Sequence, residues 1–386
     1  MLVIKNTKIY TSAGTVHEKG DILIKDGKIE KVGGSIEADC EIIDGEGLIT
    51  LPGLVDGHNH AASNMVNRKK QDFNEMSGNC VPQMDILYSI DFNSEDFKFY
   101  YKGGITTSGI IPGSGNVVGG VGVAIKGWGK SNKERVLRHP MALKMALGLN
   151  PKNAYGKQRQ EAPMTRMSIA QIIIDTFRKA QEYMKKRELP ENDPKRPVYN
   201  QGMENVCMVL RKEMPIKVHS EQFDMLMVFK IAEMFDINFT IEHGWGASDF
   251  YDDFSESKHL VGILFGPMSY MPRFPGEIGK QDPYSLIELD RRGVNCSLIT
   301  DGPSFGAEAL LLQGGEIIRS GGNVEKVIEM MTINPAKTMG VDKRIGSIEV
   351  GKDADFAIFQ GMPCVDTNAR VKYTLIDGEI VHKSKH

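Results

Sequence analysis

Two histidines one residue apart, His58 and His60, end an apolar run that begins Leu51-Pro52-Gly53-Leu54-Val55. Side chains at i and i+2 of a strand share a face, so both imidazoles project together and Asn59 turns away. Such a pair at a strand end can chelate a divalent cation of the zinc type. Alone, a His-x-His pair reads as a chance feature of a solvated strand, and the residues downstream decide between the two. Of nine histidines in the chain, two more end apolar runs: His219 after Pro215-Ile216-Lys217-Val218, and His243 after Asn238-Phe239-Thr240-Ile241-Glu242. Asp301 ends the run from Val294, and Lys144 is the one charge within Met141–Gly148. Each has a plainer reading. His219 and His243 could be hydrogen-bonded core histidines, Asp301 a helix cap at an Asp-Gly-Pro turn, and Lys144 a lysine paired with a carboxylate.

The elements that must position these residues follow from pattern. Residues 52–340 alternate apolar strand-like runs with helical periodicity, the texture of βα units and a parallel sheet. Eight candidate strands lie near 53–58, 104–111, 121–126, 141–147, 215–219, 237–243, 260–265 and 294–300. Eight such units predict an α/β fold of the (β/α)₈ TIM-barrel type, whose strand C-termini converge on one basin. Helices are predicted from a Ser168 cap to about Lys186, over Met225–Phe235, and from Asn323 to about Met331. The stretches 61–103 and 148–167 are too long for plain connections and are expected on the catalytic face. Both chain ends read as short strands with Asp-Gly turns at Asp26-Gly27 and Asp377-Gly378. Residues 1–51 plus 341–386 are therefore expected to form one small β-sandwich domain beside the 52–340 barrel.

Composition narrows the function. A net charge of −3 provides no basic footprint for nucleic acid. No apolar run reaches membrane-span length, and the first residues lack a signal-peptide pattern, so a cytoplasmic protein is expected. Five scattered cysteines without a CxxC read as reduced thiols, not a metal cluster. The 21 methionines read as adaptable core filler.

The segments Pro52–His60, His219, His243, Thr300-Asp301, Asn334-Pro335-Ala336-Lys337 and Ile345–Asp355 together resemble the amidohydrolase superfamily of metal-dependent hydrolases across nearly the whole chain. Gly113–Gly120 and Gly148-Leu149-Asn150-Pro151-Lys152 are similar to its imidazolonepropionase-related branch, which includes prolidase-like peptidases. The resemblance implies that His58, His60 and Asp301 hold one divalent metal, expected to be Zn²⁺. It implies that His219 and His243 hold a second, bridged by a carboxylated Lys144; Lys126 ranks lower as the bridge. With one metal only, His243 would orient water or substrate. Two cations roughly 3.5–4 Å apart generate hydroxide at neutral pH and polarise a carbonyl. Asp301 would shuttle the proton from water to the leaving nitrogen. A homo-oligomer is expected by the same likeness.

Mononuclear deaminases of this architecture place a glutamate three positions after the fifth-strand histidine. Here that position is Gln222, and Glu221 is one residue short. The slip turns the carboxylate elsewhere, so hydrolysis of a linear or cyclic amide or peptide bond in a small molecule leads. A deaminase or imidazolone-type ring hydrolase stands second, and a non-catalytic scaffold third. Loop 149–167 holds Lys152, Lys157, Arg159 and Arg166 against Glu161, which suggests a clamp for a substrate carboxylate, Arg166 foremost. Asn116, Tyr155 and the segment Pro267–Arg273 are expected pocket walls. Gly113-Ser114-Gly115 is too weak for a phosphate loop without a following Gly-Lys-Ser/Thr.

Overall fold

The computed structural model describes residues 1–63, 72–268 and 279–385. Strands β1 (Leu2–Tyr10), β2 (Val16–Lys25), β3 (Lys28–Gly33), β4 (Glu41–Asp44) and β5 (Leu48–Pro52) open the chain. The body follows with β6 (Leu54–Asn59), β7 (Ile105–Ile110), β8 (Val118–Val121), β9 (Val123–Lys126), β10 (Val136–Arg138) and β11 (Leu143–Ala146). It continues with β12 (Ile216–His219), β13 (Phe239–His243), β14 (Leu260–Phe265) and β15 (Cys296–Leu298). The end of the chain adds β16 (Phe356–Gln360), β17 (Arg370–Ile376) and β18 (Glu379–Lys383).

Strands from the two chain ends share one sheet. Its strands join in a single hydrogen-bonded path, β18-β17-β16-β5-β1-β2-β3, with β4 paired to β1, where two stacked sheets were expected. Alternation explains its core: Leu2 and Ile4 of β1, Ile22 and Ile24 of β2, Phe356 and Ile358 of β16 bury their side chains in one cluster. Lys126, the second-ranked bridging lysine, is buried here instead. Its ammonium lies 2.9 Å from Asp353, 2.8 Å from Asp355 and 2.6 Å from Asp377, tying β9 to the chain end.

In the body, β11 to β15 run parallel in sequence order. The stretch expected to be a third parallel strand is instead two. β9 returns antiparallel to β7, and β8 pairs antiparallel with β11. The cause is loop length: the few residues from Ile111 to Val117 cannot make the crossover that a parallel partner needs. No ladder joins β15 to β6 among the described residues. Side chains connect them, since Thr300 donates its hydroxyl to Asp56 Oδ2 at 2.5 Å.

The helix Met225–Phe235 matches its predicted span, and Asn323 caps Val324–Met330. The long helix runs Arg166–Arg187 and is capped by Thr165, whose hydroxyl accepts from the Ser168 N–H, so it starts ahead of the predicted Ser168 cap. No helix among the described residues is long and apolar enough to cross a membrane.

Candidate metal centre

β6 carries His58 to the end of the sheet, fully buried, and His60 follows one step beyond the strand. Asp301 lies just past β15. Its Oδ1 stands 3.4 Å from His58 Nε2 and 3.4 Å from His60 Nε2. One ligand atom from each of these three residues falls within 4.8 Å of the others, a group able to hold a cation. His243 joins from β13, with ring centroids 4.9 Å from His58 and 4.5 Å from His219. Both His243 and Asp301 have positive φ, 72° and 54°. Such strain in non-glycine residues concentrates at functional sites, and here it turns two strand-end side chains toward the basin.

The donor chemistry fits a metal. His60 Nδ1 is 2.8 Å from the Ile111 carbonyl, and His243 Nδ1 is 2.8 Å from that of Gly266. His58 Nδ1 is 2.5 Å from Glu242 Oε2. Tying one ring nitrogen to an acceptor leaves the other as ligand, the usual support for a metal-bound imidazole. Two buried ring nitrogens, His58 Nε2 and His219 Nδ1, have no hydrogen-bond partner among the described residues. Orphaned buried polar atoms of this kind are explained by an ion or water. The other nitrogen of His219 is held by the Asn150 amide at 3.2 Å.

Electrostatics agree. Burial pushes His60 and His219 below the ordinary imidazole value and His243 down to about 4, so these rings are neutral and ligand-competent near pH 7. Burial alone would raise the Asp301 carboxyl, but the facing His58 and His60 rings outweigh it and hold it well below the carboxylate range. Burial lowers Lys144 to about 8, with Glu242 and Asp301 pulling the other way.

The expected substrate residues Asn116 and Tyr155 bond to each other and to segment 72–79. Tyr155 is buried, with its hydroxyl 2.5 Å from Asn116 Oδ1 and 2.7 Å from the Gly78 carbonyl; Asn116 Nδ2 donates to the Glu75 carbonyl at 2.5 Å. Both residues brace segment 72–79, whose Phe73 stacks on His60 at 4.7 Å. That packing explains the glycines at 113–115: a Cβ on Gly113 would collide with Asn74 and Phe73. The Arg166 clamp is corrected. Its guanidinium grips the buried Asp224, Nε to Oδ1 at 2.8 Å and Nη2 to Oδ2 at 3.3 Å, with Glu221 at 3.7 Å. Residues 269–273 of the expected pocket wall lie outside the described residues.

Sequence reading missed Glu242, Lys217, Asp56 and Thr300. A signal existed for three of them. Lys217, Glu242 and Asp56 are charges within apolar strand runs, and Lys217 and Asp56 stand two residues before His219 and His58, on the same face.

The amidohydrolase family model matches residues 211–381. The crystal structure of an amidohydrolase from Thermotoga maritima MSB8 is 35% identical, superposes with a TM-score of 0.93, and covers 100% of both chains. A prolidase crystallised with N-methylphosphonate-L-proline shares the fold at 15% identity and a TM-score of 0.61, over 99% of this chain and 100% of its own. The amidohydrolase tasK of Hapsidospora irregularis is 25% identical over 89% of this chain, which spans 38% of that protein's length.

Proposed function

The chain belongs to the amidohydrolase family, and on that basis we propose that it is a metal-dependent hydrolase cleaving an amide or peptide C–N bond, linear or cyclic, in a small molecule. The observation that carries this reading is the convergence of His58, His60 and Asp301, each histidine tied at Nδ1 with its Nε2 3.4 Å from Asp301 Oδ1. These three would hold one divalent cation, Zn²⁺ by preference for imidazole and carboxylate ligands. His219 and His243 would hold a second, with a carboxylated Lys144 between the two. The cations supply Lewis acidity and a nucleophilic water at neutral pH.

The chain's own residues do the rest. Asp301 is ionised and its side chain is 27% exposed on the open side of the basin. It is placed to take a proton from water and deliver it to the leaving nitrogen. His243, neutral and fixed by the Gly266 carbonyl, is oriented for a metal or for substrate. Phe73 covers His60 and narrows access of bulk water on that side. The reading assigns 52–340 to the catalytic barrel and 1–51 plus 341–386 to the small β domain. It drops the carboxylate clamp, because Arg166 already holds Asp224. The deaminase alternative is weakened by Glu221, whose carboxylate accepts from the Leu149 N–H at 3.3 Å and faces Arg166.

The test is a screen of purified protein against N-acyl amino acids, dipeptides and cyclic amides, with and without Zn²⁺ or Mn²⁺. Metal-dependent cleavage of an amide supports the proposal. Ammonia release from purines or imidazoles with no amide cleavage would transfer the assignment to the deaminase reading. Inactivity on every class at full metal loading would favour a scaffold.

A further inference from the structure

Glu242 and Lys217 have no part in the chemistry above, yet both side chains are fully buried between the metal-site strands. Desolvating two charges is expensive unless each is paired and hydrogen-bonded. Register explains how they meet: Lys217 of β12 lies opposite Thr240 of β13, and Glu242 shares that residue's face two positions on. Lys217 Nζ stands 3.0 Å from Glu242 Oε1, as an ion pair and not an aligned hydrogen bond. The Thr240 hydroxyl donates to the same oxygen. The other carboxylate oxygen, Oε2, faces His58 Nδ1 at 2.5 Å.

We propose that Glu242, neutralised by Lys217, is a positioning residue that fixes the proton of His58 on Nδ1 and so presents a bare Nε2 to the cation. An ionised carboxylate has no proton to give, so the one on this contact belongs to the ring. His58 Nε2 is then an acceptor only, and it is a buried nitrogen left without a hydrogen-bond partner, 3.4 Å from Asp301. His60 and His243 obtain the same tautomer from backbone carbonyls. His58 alone of these three uses a charged acceptor, a carboxylate behind a metal-binding imidazole. The inference rests on the metal-centre reading above.

The test uses full-length wild type, Glu242→Gln and the double variant Glu242→Gln/Lys217→Met. Two readouts are taken: ¹⁵N NMR of the His58 ring in metal-free protein, and Zn²⁺ affinity by competition with a chromogenic chelator. In wild type the ring is expected to carry its proton on Nδ1. The side-chain amide introduced by Glu242→Gln has one oxygen, which Lys217 claims; its NH₂ then faces His58 and drives the proton to Nε2. Zn²⁺ affinity is expected to fall about 10–100-fold. Removing Lys217 frees the amide to turn its oxygen to His58, so the Nδ1 proton and most of the affinity return. A purely structural role gives no such recovery, because the double variant removes more contacts. An Nε2-protonated or doubly protonated His58 in wild type overturns the proposal, as does Glu242→Gln with wild-type affinity. If Glu242→Gln does not fold, the wild-type spectrum and the charge-free double variant decide. Wild type that binds no Zn²⁺ overturns the metal reading, while its His58 spectrum still judges the tautomer.

Discussion

The Thr300 hydroxyl donates to Asp56 across 2.5 Å, joining the end of β15 to β6 where no backbone ladder does. Asp56 is fully buried, and it also accepts from Asn59 Nδ2 at 3.1 Å and the His58 N–H at 3.3 Å. Asp301 follows Thr300 and His58 lies two residues past Asp56, so this bond helps set the spacing of two of the three proposed ligands, beside the Thr300 N–H to Asp56 Oδ1 at 3.3 Å and the His60 N–H to the Gly302 carbonyl at 2.6 Å. Thr300→Val leaves a buried carboxylate short of a donor. A loss of about 1–3 kcal/mol in unfolding free energy is expected, with weaker Zn²⁺ binding, measured by urea titration and metal competition. Wild-type values in both would show that the contact is idle.

Arg166 is expected to act on stability and not on substrate charge. Asp224 is fully buried and would lose its ion pair with Arg166 in Arg166→Met. Discounted for the partial exposure of Arg166, the cost is about 1–3 kcal/mol. Thermal unfolding checks it. A selective loss of kcat/KM for acidic substrates at unchanged stability would restore the clamp.

Lys126 holds three aspartates beneath the β unit. Removing it takes the cation from the buried Asp355, while Asp353 keeps Arg344 at 2.8 Å and Lys28, so Lys126→Met is expected to cost about 3–5 kcal/mol. The metal site lies elsewhere, so Zn²⁺ affinity of the folded fraction should not change. A stable variant with weakened metal binding would contradict this separation.

Metal-free protein should weaken in mild acid. Burial holds His243 at about 4 and His219 well below its ordinary value, whereas the unfolded chain titrates near pH 6.5. Through that window the unfolded state binds more protons, so stability is lost as pH falls from about 6.5 toward 4. The His243 share is on the order of 3 kcal/mol when fully developed. His243→Asn should flatten the slope in chelated protein, followed by denaturant midpoints against pH. An unaltered slope would place the protonation elsewhere.

What the sequence disclosed and what it hid have separate physical causes. The period-two face put His58 and His60 together, and strand-end position singled out His219, His243 and Asp301, because both are local properties. The reversal at β8 and β9 was hidden by treating 121–126 as one strand, although the short link after Ile110 leaves no room for a crossover. Arg166 misled because its partner, Asp224, is 58 residues away, and a charge cannot reveal from sequence whether a distant carboxylate already holds it. Glu242 was masked by its neighbour: strand alternation alone would turn His243 away from the face Glu242 occupies, and only the positive φ at His243 brings both toward one basin.

The most direct measurement is metal analysis of purified protein joined to anomalous diffraction at the zinc edge. The expected result is a cation bound by His58, His60 and Asp301, with a second at His219 and His243 if Lys144 carries the mass of one CO₂. Protein at full Zn²⁺ exposure with no anomalous peak between residues 58, 60 and 301 would contradict the hydrolase assignment.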